Sequence, residues 1–443
     1  MDAELLDRLH REMVYEFGRT APPEGFPAFH DIPAGRYTSD EFWQLEQEHL
    51  WPHAWVLAGR VESVASVGDF FTFDDLRVPV IVVRGKDDVV RAFYNTCQHR
   101  GAPVVRDRAG SARSLRCQYH SWTYDITEGH LIAVPDERDF VGLDKAERCL
   151  RRLRCEVWDG WIFVNQDLDA PPLLQWLAPI PDQLGELQGP SLREVSRRSE
   201  IVPCNWKVTA EAFLEVYHFR HIHQREGESH LDNRGATMGL LPNGSSRMIT
   251  PFAKSSWAAA GMDDWDDWRH VVAPGFTDIE TVNDVVRCTS SAYSVFPNLI
   301  TPIAAYGFPF ILFWPLDKRT TRIDWIHYAP IDFDPAAGLP PHWERRMENF
   351  DRIMDEDFQN MAPMQRSLES PAFRGIPINY QERRIWHFNE QIDRTIGIDR
   401  IPPDLRVEQL LARYVEHDTG ERSETVVKSG RGSSHLVGRS APR

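Results

Sequence analysis

Two short segments of this chain of 443 residues each place a cysteine beside a histidine. The first pairs Cys97 with His99, and the second pairs Cys117 with His120. Thiolate sulfur and imidazole nitrogen both bind transition metals well, and four such ligands complete a metal site. A structural zinc ion accepts the same ligands, but zinc modules favour cysteine pairs separated by about two to four residues. The mixed spacing therefore predicts a metal site and does not favour zinc.

A second group of possible ligands lies in residues 205–223, which hold three histidines. Helical spacing over this segment is shown by Trp206, Ala210, Phe213 and Tyr217. Two histidines and one carboxylate hold an iron ion and leave open positions for O₂ and a substrate. From spacing alone, His218 and His221 would share one helix face, since they are three residues apart.

The carboxylate that such an iron site needs is predicted on a long helix from about Pro341 to Met361. Trp343, Met347, Phe350 and Met354 form an apolar stripe along it. Asp357 is the next position on that stripe, where a carboxylate is costly unless it is paired or bound to a metal. The neighbouring acids Asp351, Asp355 and Glu356 lie off the stripe and are interpreted as solvated charges. Asp357 is therefore the candidate ligand.

The residues around the two Cys–His pairs resemble the two loops of Rieske oxygenases. Segment 97–103 is CQHRGAP and segment 117–125 is CQYHSWTYD. Ser121 departs from the glycine that these loops usually carry. The resemblance implies a Rieske [2Fe–2S] cluster, in which two histidines replace two cysteines on one iron. Its ligands would be Cys97, His99, Cys117 and His120.

Residues 205–223 also resemble the catalytic helix of Rieske non-haem iron oxygenases, through Asn-Trp-Lys, an acid and then His-x₄-His. The resemblance implies that His218 and His223, rather than His221, bind iron together with Asp357. Because a His-x₄-His pair does not stack on a regular helix, we expect distortion near His221.

Glu215 stands where this family carries an acid three residues before the first iron-binding histidine. The resemblance implies that Glu215 links the two metal centres by contacting a Rieske histidine of the neighbouring subunit. That histidine would be His99 or His120. A cyclic homotrimer is therefore expected, with an additional beta subunit as an option that the sequence does not decide.

The activity implied by the resemblance is that of a terminal oxygenase in a multicomponent system. NAD(P)H would supply electrons through a separate reductase, with or without a ferredoxin, to the cluster and then to the mononuclear iron(II), which activates O₂. Hydroxylation of an aromatic substrate is the first prediction, and oxidative N- or O-demethylation, including that of quaternary ammonium compounds, is the second. A Rieske electron carrier without oxygenase activity and a zinc-stabilised binding protein are the rival classes.

A small apolar or aromatic substrate is expected, because aromatic side chains are available to line a pocket near the iron. The candidates are Phe213, Phe308, Phe310, Phe313 and Trp314. Aromatic walls would also suit a quaternary ammonium group through cation–π contacts.

The elements that must position these residues predict an α+β chain. Short β-rich runs separated by turns, such as Asp69–Phe73 and Val89–Tyr94, predict a small antiparallel β domain. We assign the N-terminal segment to residues 1–37, the Rieske domain to 38–148, the catalytic domain to 149–418 and a flexible tail to 419–443. The resemblance implies a helix-grip catalytic domain, in which a curved antiparallel sheet surrounds a long helix.

Charge and composition exclude several kinds of partner. Lys and Arg number 50 against 66 Asp and Glu, which gives a net charge of −16. Such a surface repels phosphate backbones and anionic membranes, so neither nucleic acid nor a membrane is an expected partner. Four of the first ten residues are charged, and the uncharged stretch 300–316 contains three prolines. These features predict a cytoplasmic protein.

The remaining cysteines, Cys149, Cys155, Cys204 and Cys288, are predicted to be buried thiols.

Overall fold

Two seven-stranded antiparallel sheets form the frame of the protein. The computed structural model describes residues 1–225, 228–229, 231–253 and 275–416. The predicted tail 419–443 lies outside the described residues. The architecture is α+β, with the smaller β domain on the N-terminal side, as predicted.

The first sheet and a smaller sheet carry the two Cys–His segments. The strands of the first sheet, in spatial order, are Val56–Arg60, Trp161–Asn165, Arg152–Trp158, Val90–Tyr94, Val80–Arg84, Asp69–Phe73 and Ala109–Ser111. A small three-stranded sheet, Leu115–Arg116, Thr123–Tyr124 and Leu131–Ala133, holds the second segment. Between them lies a separate apolar core that includes Ile81, Phe93, Cys97, Cys117 and Trp122. The two cysteines are therefore anchored in the interior of this domain.

The first sheet continues beyond the predicted boundary at residue 148. Strand Arg152–Trp158 pairs with Val90–Tyr94, and the hairpin formed with Trp161–Asn165 then reaches Val56–Arg60. A boundary drawn from the sequence follows the local side-chain pattern, whereas strand pairing joins residues that are distant in the chain. Residues 152–165 thus lie in the sheet of the β domain.

The second sheet and the long helix form the larger domain. Its strands, in spatial order, are Arg193–Val202, Thr320–Ala329, Phe308–Asp317, Leu299–Ile303, Thr289–Val295, Ser246–Pro251 and Thr237–Leu240. The main helices among the described residues are Ala3–Gly18, Asp40–Leu45, Leu173–Leu177, Ile180–Leu184, Trp206–Glu211, Phe219–Ile222, Asp284–Cys288, Pro341–Leu368 and Arg383–Ile396. Within the described residues, no helix is both long enough and apolar enough to cross a membrane.

The long helix, Pro341–Leu368, runs past the end predicted at Met361 even though it contains Pro363. A proline removes one helical hydrogen bond and usually ends the element. Here the buried face of the helix continues with Met361, Gln365 and Leu368. Tertiary packing therefore outweighs the tendency of Pro363 to end the helix.

Residues 205–223 are not the continuous helix that their periodicity predicts. Trp206–Glu211 and Phe219–Ile222 are helical, and the chain between them turns. The break therefore precedes His218, whereas we expected it near His221. The Glu215 carboxylate accepts the backbone N–H groups of Tyr217 and His218, which replaces the hydrogen bonds that a helix would make.

The four other cysteines are only partly as predicted. Cys204 and Cys288 are buried, whereas Cys149 and Cys155 are half-buried.

Candidate metal centres

The two Cys–His segments form two loops with the same backbone turn. In the first, Gly101 N–H donates to Cys97 O at 3.0 Å, and in the second, Ser121 N–H donates to Cys117 O at 2.9 Å. Both turn residues have a positive φ, +72° at Gly101 and +59° at Ser121. This left-handed conformation is sterically unfavourable for serine, whereas glycine adopts it readily. Its hydroxyl accepts a hydrogen bond from Arg116 Nη2 at 2.8 Å, which supports the turn.

The ligand candidates of the two loops lie side by side. Cys97 and Cys117 are buried, and the rings of His99 and His120 have centroids 4.7 Å apart. His99 stacks on Trp122 with centroids 4.9 Å apart and an angle of 9°, which fixes its ring plane. Its Nδ1 is buried and makes no hydrogen bond to any residue that the structure describes. Two buried thiols and an unpartnered imidazole nitrogen fit the ligand set of a Rieske cluster.

Tyr124 is a residue of this centre that the sequence did not single out. Its hydroxyl lies 3.3 Å from Cys97 Sγ and accepts the N–H of Gln98 at 3.0 Å. Burial raises the pKa of Cys97, and the neighbouring Cys117 raises it further. A bound metal offsets that cost, since a coordinated thiol loses its proton. A hydroxyl beside a ligating sulfur is also one means by which proteins adjust a cluster's reduction potential.

The second centre brings together His218, His223 and Asp357, whose ligand atoms all lie within 4.8 Å of one another. Asp357 Oδ1 is 3.6 Å from His218 Nε2 and 3.1 Å from His223 Nε2. Asp357 is only 5% exposed, because it lies on the buried stripe of the long helix. The two histidines flank the short helix Phe219–Ile222. The broken segment thus turns both rings toward the long helix.

Each of these histidines is held at its other ring nitrogen by a glutamate. Glu215 contacts Nδ1 of His218, and Glu356 Oε2 lies 2.8 Å from Nδ1 of His223. When Nδ1 carries the proton, Nε2 presents a lone pair toward Asp357, which is the tautomer that a metal requires. Glu356 was interpreted as a solvated charge, and that interpretation is wrong. Its position beside the candidate ligand Asp357 was the available signal, because ligating histidines need such partners.

The electrostatics of this second centre favour a cation. Burial acts to lower the pKa of His223, but the carboxylates of Asp357 and Glu356 outweigh it and the pKa is raised. Nε2 of His223 is buried and lies 3.1 Å from Asp357 Oδ1. Two imidazoles and one carboxylate with a free side fit a non-haem iron(II). His221 is exposed and stands apart from this group.

We expect Glu356→Ala to weaken iron(II) binding at the second centre by about 10- to 100-fold, since outer partners of metal ligands typically contribute that much. A chelator competition that measures the iron(II) dissociation constant would check this. Asp355→Ala is the matched control, because Asp355 is an exposed acid on the same helix. Equal iron(II) affinity in the Glu356 and Asp355 variants would contradict the role given to Glu356.

A cavity of about 390 Å³ opens beside the second centre. Phe213 lines it, as predicted, but Phe308, Phe310, Phe313 and Trp314 do not. Those four side chains lie in the main apolar core, since residues on both faces of strand Phe308–Asp317 are buried.

The cavity walls combine apolar and polar surface. His218, His223 and Asp357 share the walls with apolar residues that include Leu231, Met248, Ala292, Ile300, Phe350 and Met354. Tyr306, Arg346, Asn349 and Arg352 line both this cavity and an adjoining open groove. The groove therefore marks the entrance to the cavity.

Comparison with known proteins agrees with both centres. The Rieske [2Fe-2S] domain family matches residues 54–150, and the catalytic domain of the ring hydroxylating alpha subunit family matches residues 189–398. Benzene 1,2-dioxygenase subunit alpha from Pseudomonas putida is 37% identical over 199 residues, 42% of this chain and 44% of that protein. For 2-aminobenzenesulfonate 2,3-dioxygenase subunit alpha from Alcaligenes sp., the values are 30% over 250 residues, 55% and 63%. The matches thus span less than two thirds of either relative.

Among solved structures, the quaternary ammonium Rieske monooxygenase CntA in complex with L-carnitine has a TM-score of 0.66 at 21% identity, covering 85% of this chain and 99% of that one. This likeness shows the fold. The two matched domains imply a Rieske [2Fe–2S] cluster and a mononuclear iron as cofactors. With a Rieske domain followed by a ring-hydroxylating catalytic domain, the chain belongs to the alpha subunits of the Rieske non-haem iron oxygenases.

Proposed function

We propose that this chain is a terminal oxygenase that hydroxylates an aromatic substrate. The observation that carries the proposal is the convergence of His218, His223 and Asp357 beside a largely apolar cavity. Three protein ligands on one side of an iron leave positions that face the cavity, where O₂ and a substrate can meet. Both relatives named above are dioxygenases that act on aromatic rings, which supports the same chemistry here.

Each group of residues has a defined part in this proposal. Cys97, His99, Cys117 and His120 hold the [2Fe–2S] cluster, while His218, His223 and Asp357 hold iron(II). When bound, the cluster supplies single electrons and the iron activates O₂. Glu215 and Glu356 keep the two histidines in the ligating tautomer. The apolar wall excludes water and orients the ring of the substrate.

The electron supply and the assembly belong to the same proposal. A separate reductase takes electrons from NAD(P)H, and a ferredoxin can carry them from the reductase to the cluster. A cytoplasmic location follows from that supply of NAD(P)H.

We propose a homotrimer, with or without a beta subunit, in which Glu215 meets His99 or His120 of the partner subunit. The exposed Tyr119, beside His120, and the exposed Tyr217, beside Glu215, support it, since they are 56% and 44% exposed. Large exposed aromatic side chains are frequent at subunit interfaces.

Oxidative demethylation of a quaternary ammonium compound is the second candidate, and the fold of CntA is compatible with it. Arg346, which lines the cavity without an ion-pair partner among the described residues, disfavours a substrate whose only charge is positive. A Rieske electron carrier would need neither the second centre nor the cavity.

The test is the content of iron, acid-labile sulfide and zinc in anaerobically purified protein, followed by oxygen uptake. We expect about three irons and two sulfides per chain, as the two ligand sets require. With a reductase, NADH and toluene, the protein should then consume oxygen and form a hydroxylated ring. Two irons per chain that iron(II) addition does not raise to three would support the electron carrier. Zinc without sulfide would overturn the proposal.

A further inference from the structure

Arg346 is a cationic side chain in the wall of an otherwise largely apolar cavity. It lies on the long helix, is half-buried and lines both the cavity and the entrance groove. Its guanidinium carbon lies 5.4 Å from the ring centroid of Tyr306 and 6.0 Å from that of Phe350. These aromatic contacts hold the guanidinium in place but do not use its N–H donors.

No carboxylate within the described ranges forms an ion pair with Arg346. The two other arginines of the cavity are already paired, Arg287 with Asp278 and Arg352 with Glu356. The charge of Arg346 also acts on His327. Burial lowers the pKa of His327, and the charge of Arg346 lowers it further, to about 3, so that imidazole is neutral. Among the described residues, Arg346 therefore carries a positive charge without an ion-pair partner at a half-buried position, where pairing with an anion would be most favourable electrostatically.

The position of Arg346 relative to the metal ligands is set by the helix. Asp357 lies eleven residues further along, which is about three turns, so both side chains leave the same face. Their Cα atoms are about 16 Å apart at 1.5 Å per residue. Between them on this face, Phe350, Ile353 and Met354 line the cavity. The cavity thus runs from a cation at one end, along an apolar floor, to the iron ligands at the other.

We propose that the substrate is an aromatic ring that carries an anionic group, such as a carboxylate, and that Arg346 binds this group. This inference rests on the proposed function and names its substrate class. The ring would lie on Phe350 and its neighbours, and the anion would pair with the guanidinium at the entrance end. Such pairing fixes which edge of the ring faces His218, His223 and Asp357. Arg346 is in this way a specificity-determining residue.

Equilibrium binding to the iron-replete protein, measured by titration calorimetry, tests this directly. The probes are benzoate, toluene as a neutral ring of similar size, and glycine betaine as a non-aromatic carboxylate. We expect benzoate to bind more tightly than the other two. Arg346→Gln should weaken benzoate binding by about 10- to 100-fold, since hydrogen bonds to a charged group are being lost. It should change toluene binding less than about threefold, and Arg346→Lys should keep part of the benzoate affinity.

Arg345→Gln is the matched control, because it removes the same charge from an exposed neighbouring position. Equal benzoate affinity in wild type and Arg346→Gln, or equal losses in the Arg345 and Arg346 variants, would overturn the assignment. Tighter binding of toluene than of benzoate would overturn the anionic class, and tighter binding of glycine betaine would overturn the aromatic ring. Failure of the proposed function looks different, since neither benzoate nor toluene would then elicit oxygen uptake.

Discussion

Replacing Asp357 with alanine is expected to abolish substrate-dependent oxygen uptake while the visible spectrum of the Rieske cluster stays unchanged. Asp357 is the carboxylate of the second centre, and its Oδ1 faces Nε2 of both His218 and His223. Loss of an outer partner of a metal ligand typically costs 10- to 100-fold. Loss of a ligand should cost more, so we expect uptake to fall by more than about 100-fold. Iron content should fall from about three to about two per chain.

The long helix supplies a control for this variant. Asp355 is exposed and two residues away, so Asp355→Ala removes the same charge from the same helix without touching the second centre. It should keep wild-type iron content and uptake. An Asp357→Ala protein that retains three irons and normal uptake would show that another acid completes the site. Thermal denaturation of both variants separates loss of iron from loss of the fold.

The buried position of Asp357 could be predicted from the sequence because helical periodicity is a local property. The spacing of Trp343, Met347, Phe350 and Met354 determines which face of the helix is buried, and Asp357 falls on that face. The end of the helix could not be found in the same way. Pro363 is a local signal for termination, but burial of residues further along depends on the sheet against which they pack.

At the two centres, features set by neighbouring residues could be predicted from the sequence, whereas features set by contacts between side chain and backbone or between elements could not. The loop containing Cys117 is predictable from its motif, and Ser121 keeps the left-handed turn that glycine adopts in the loop of Cys97. The break before His218 was not predictable from periodicity, since it depends on a side chain, Glu215, that captures backbone N–H groups. Glu356 was missed for a related reason: its partner, His223, lies on another element.

The cavity walls were the least predictable feature. Phe313 and Phe213 are equally aromatic, and only the position of their elements decides that the first is core and the second faces the cavity. Arg346 gave no signal at all in the sequence, because an arginine on a helix is ordinarily a solvated charge. Its importance follows from the tertiary surroundings, which supply aromatic neighbours and no anion within the described residues.

Glu215→Gln is expected to slow re-oxidation of the reduced Rieske cluster by at least about 10-fold, in the presence of substrate and O₂, with both metals still bound. Glu215 is 9% exposed and contacts Nδ1 of His218, so one side of its carboxylate serves the second centre. In the proposed trimer its other side meets a cluster histidine of the partner subunit. Glutamine keeps the size of the side chain and one acceptor oxygen but removes the charge that supports both contacts. Stopped-flow absorbance of the cluster, with iron content measured on the same sample, checks this.

A neighbouring acid shows whether the effect is one of contact or of charge alone. Burial raises the pKa of Glu382 and the nearby charge of Glu215 raises it further, whereas the Glu382 side chain accepts the N–H of Asn379 and forms no hydrogen bond with His218. Glu382→Gln therefore removes a nearby negative charge and leaves the proposed bridge intact. If both variants slow re-oxidation of the cluster equally, the negative charge of the acids is responsible, and the proposed contact of Glu215 with a cluster histidine is wrong. If only Glu215→Gln is slow, and its cluster spectrum and iron content match those of the wild type, the rate depends on a single carboxylate that contacts both centres.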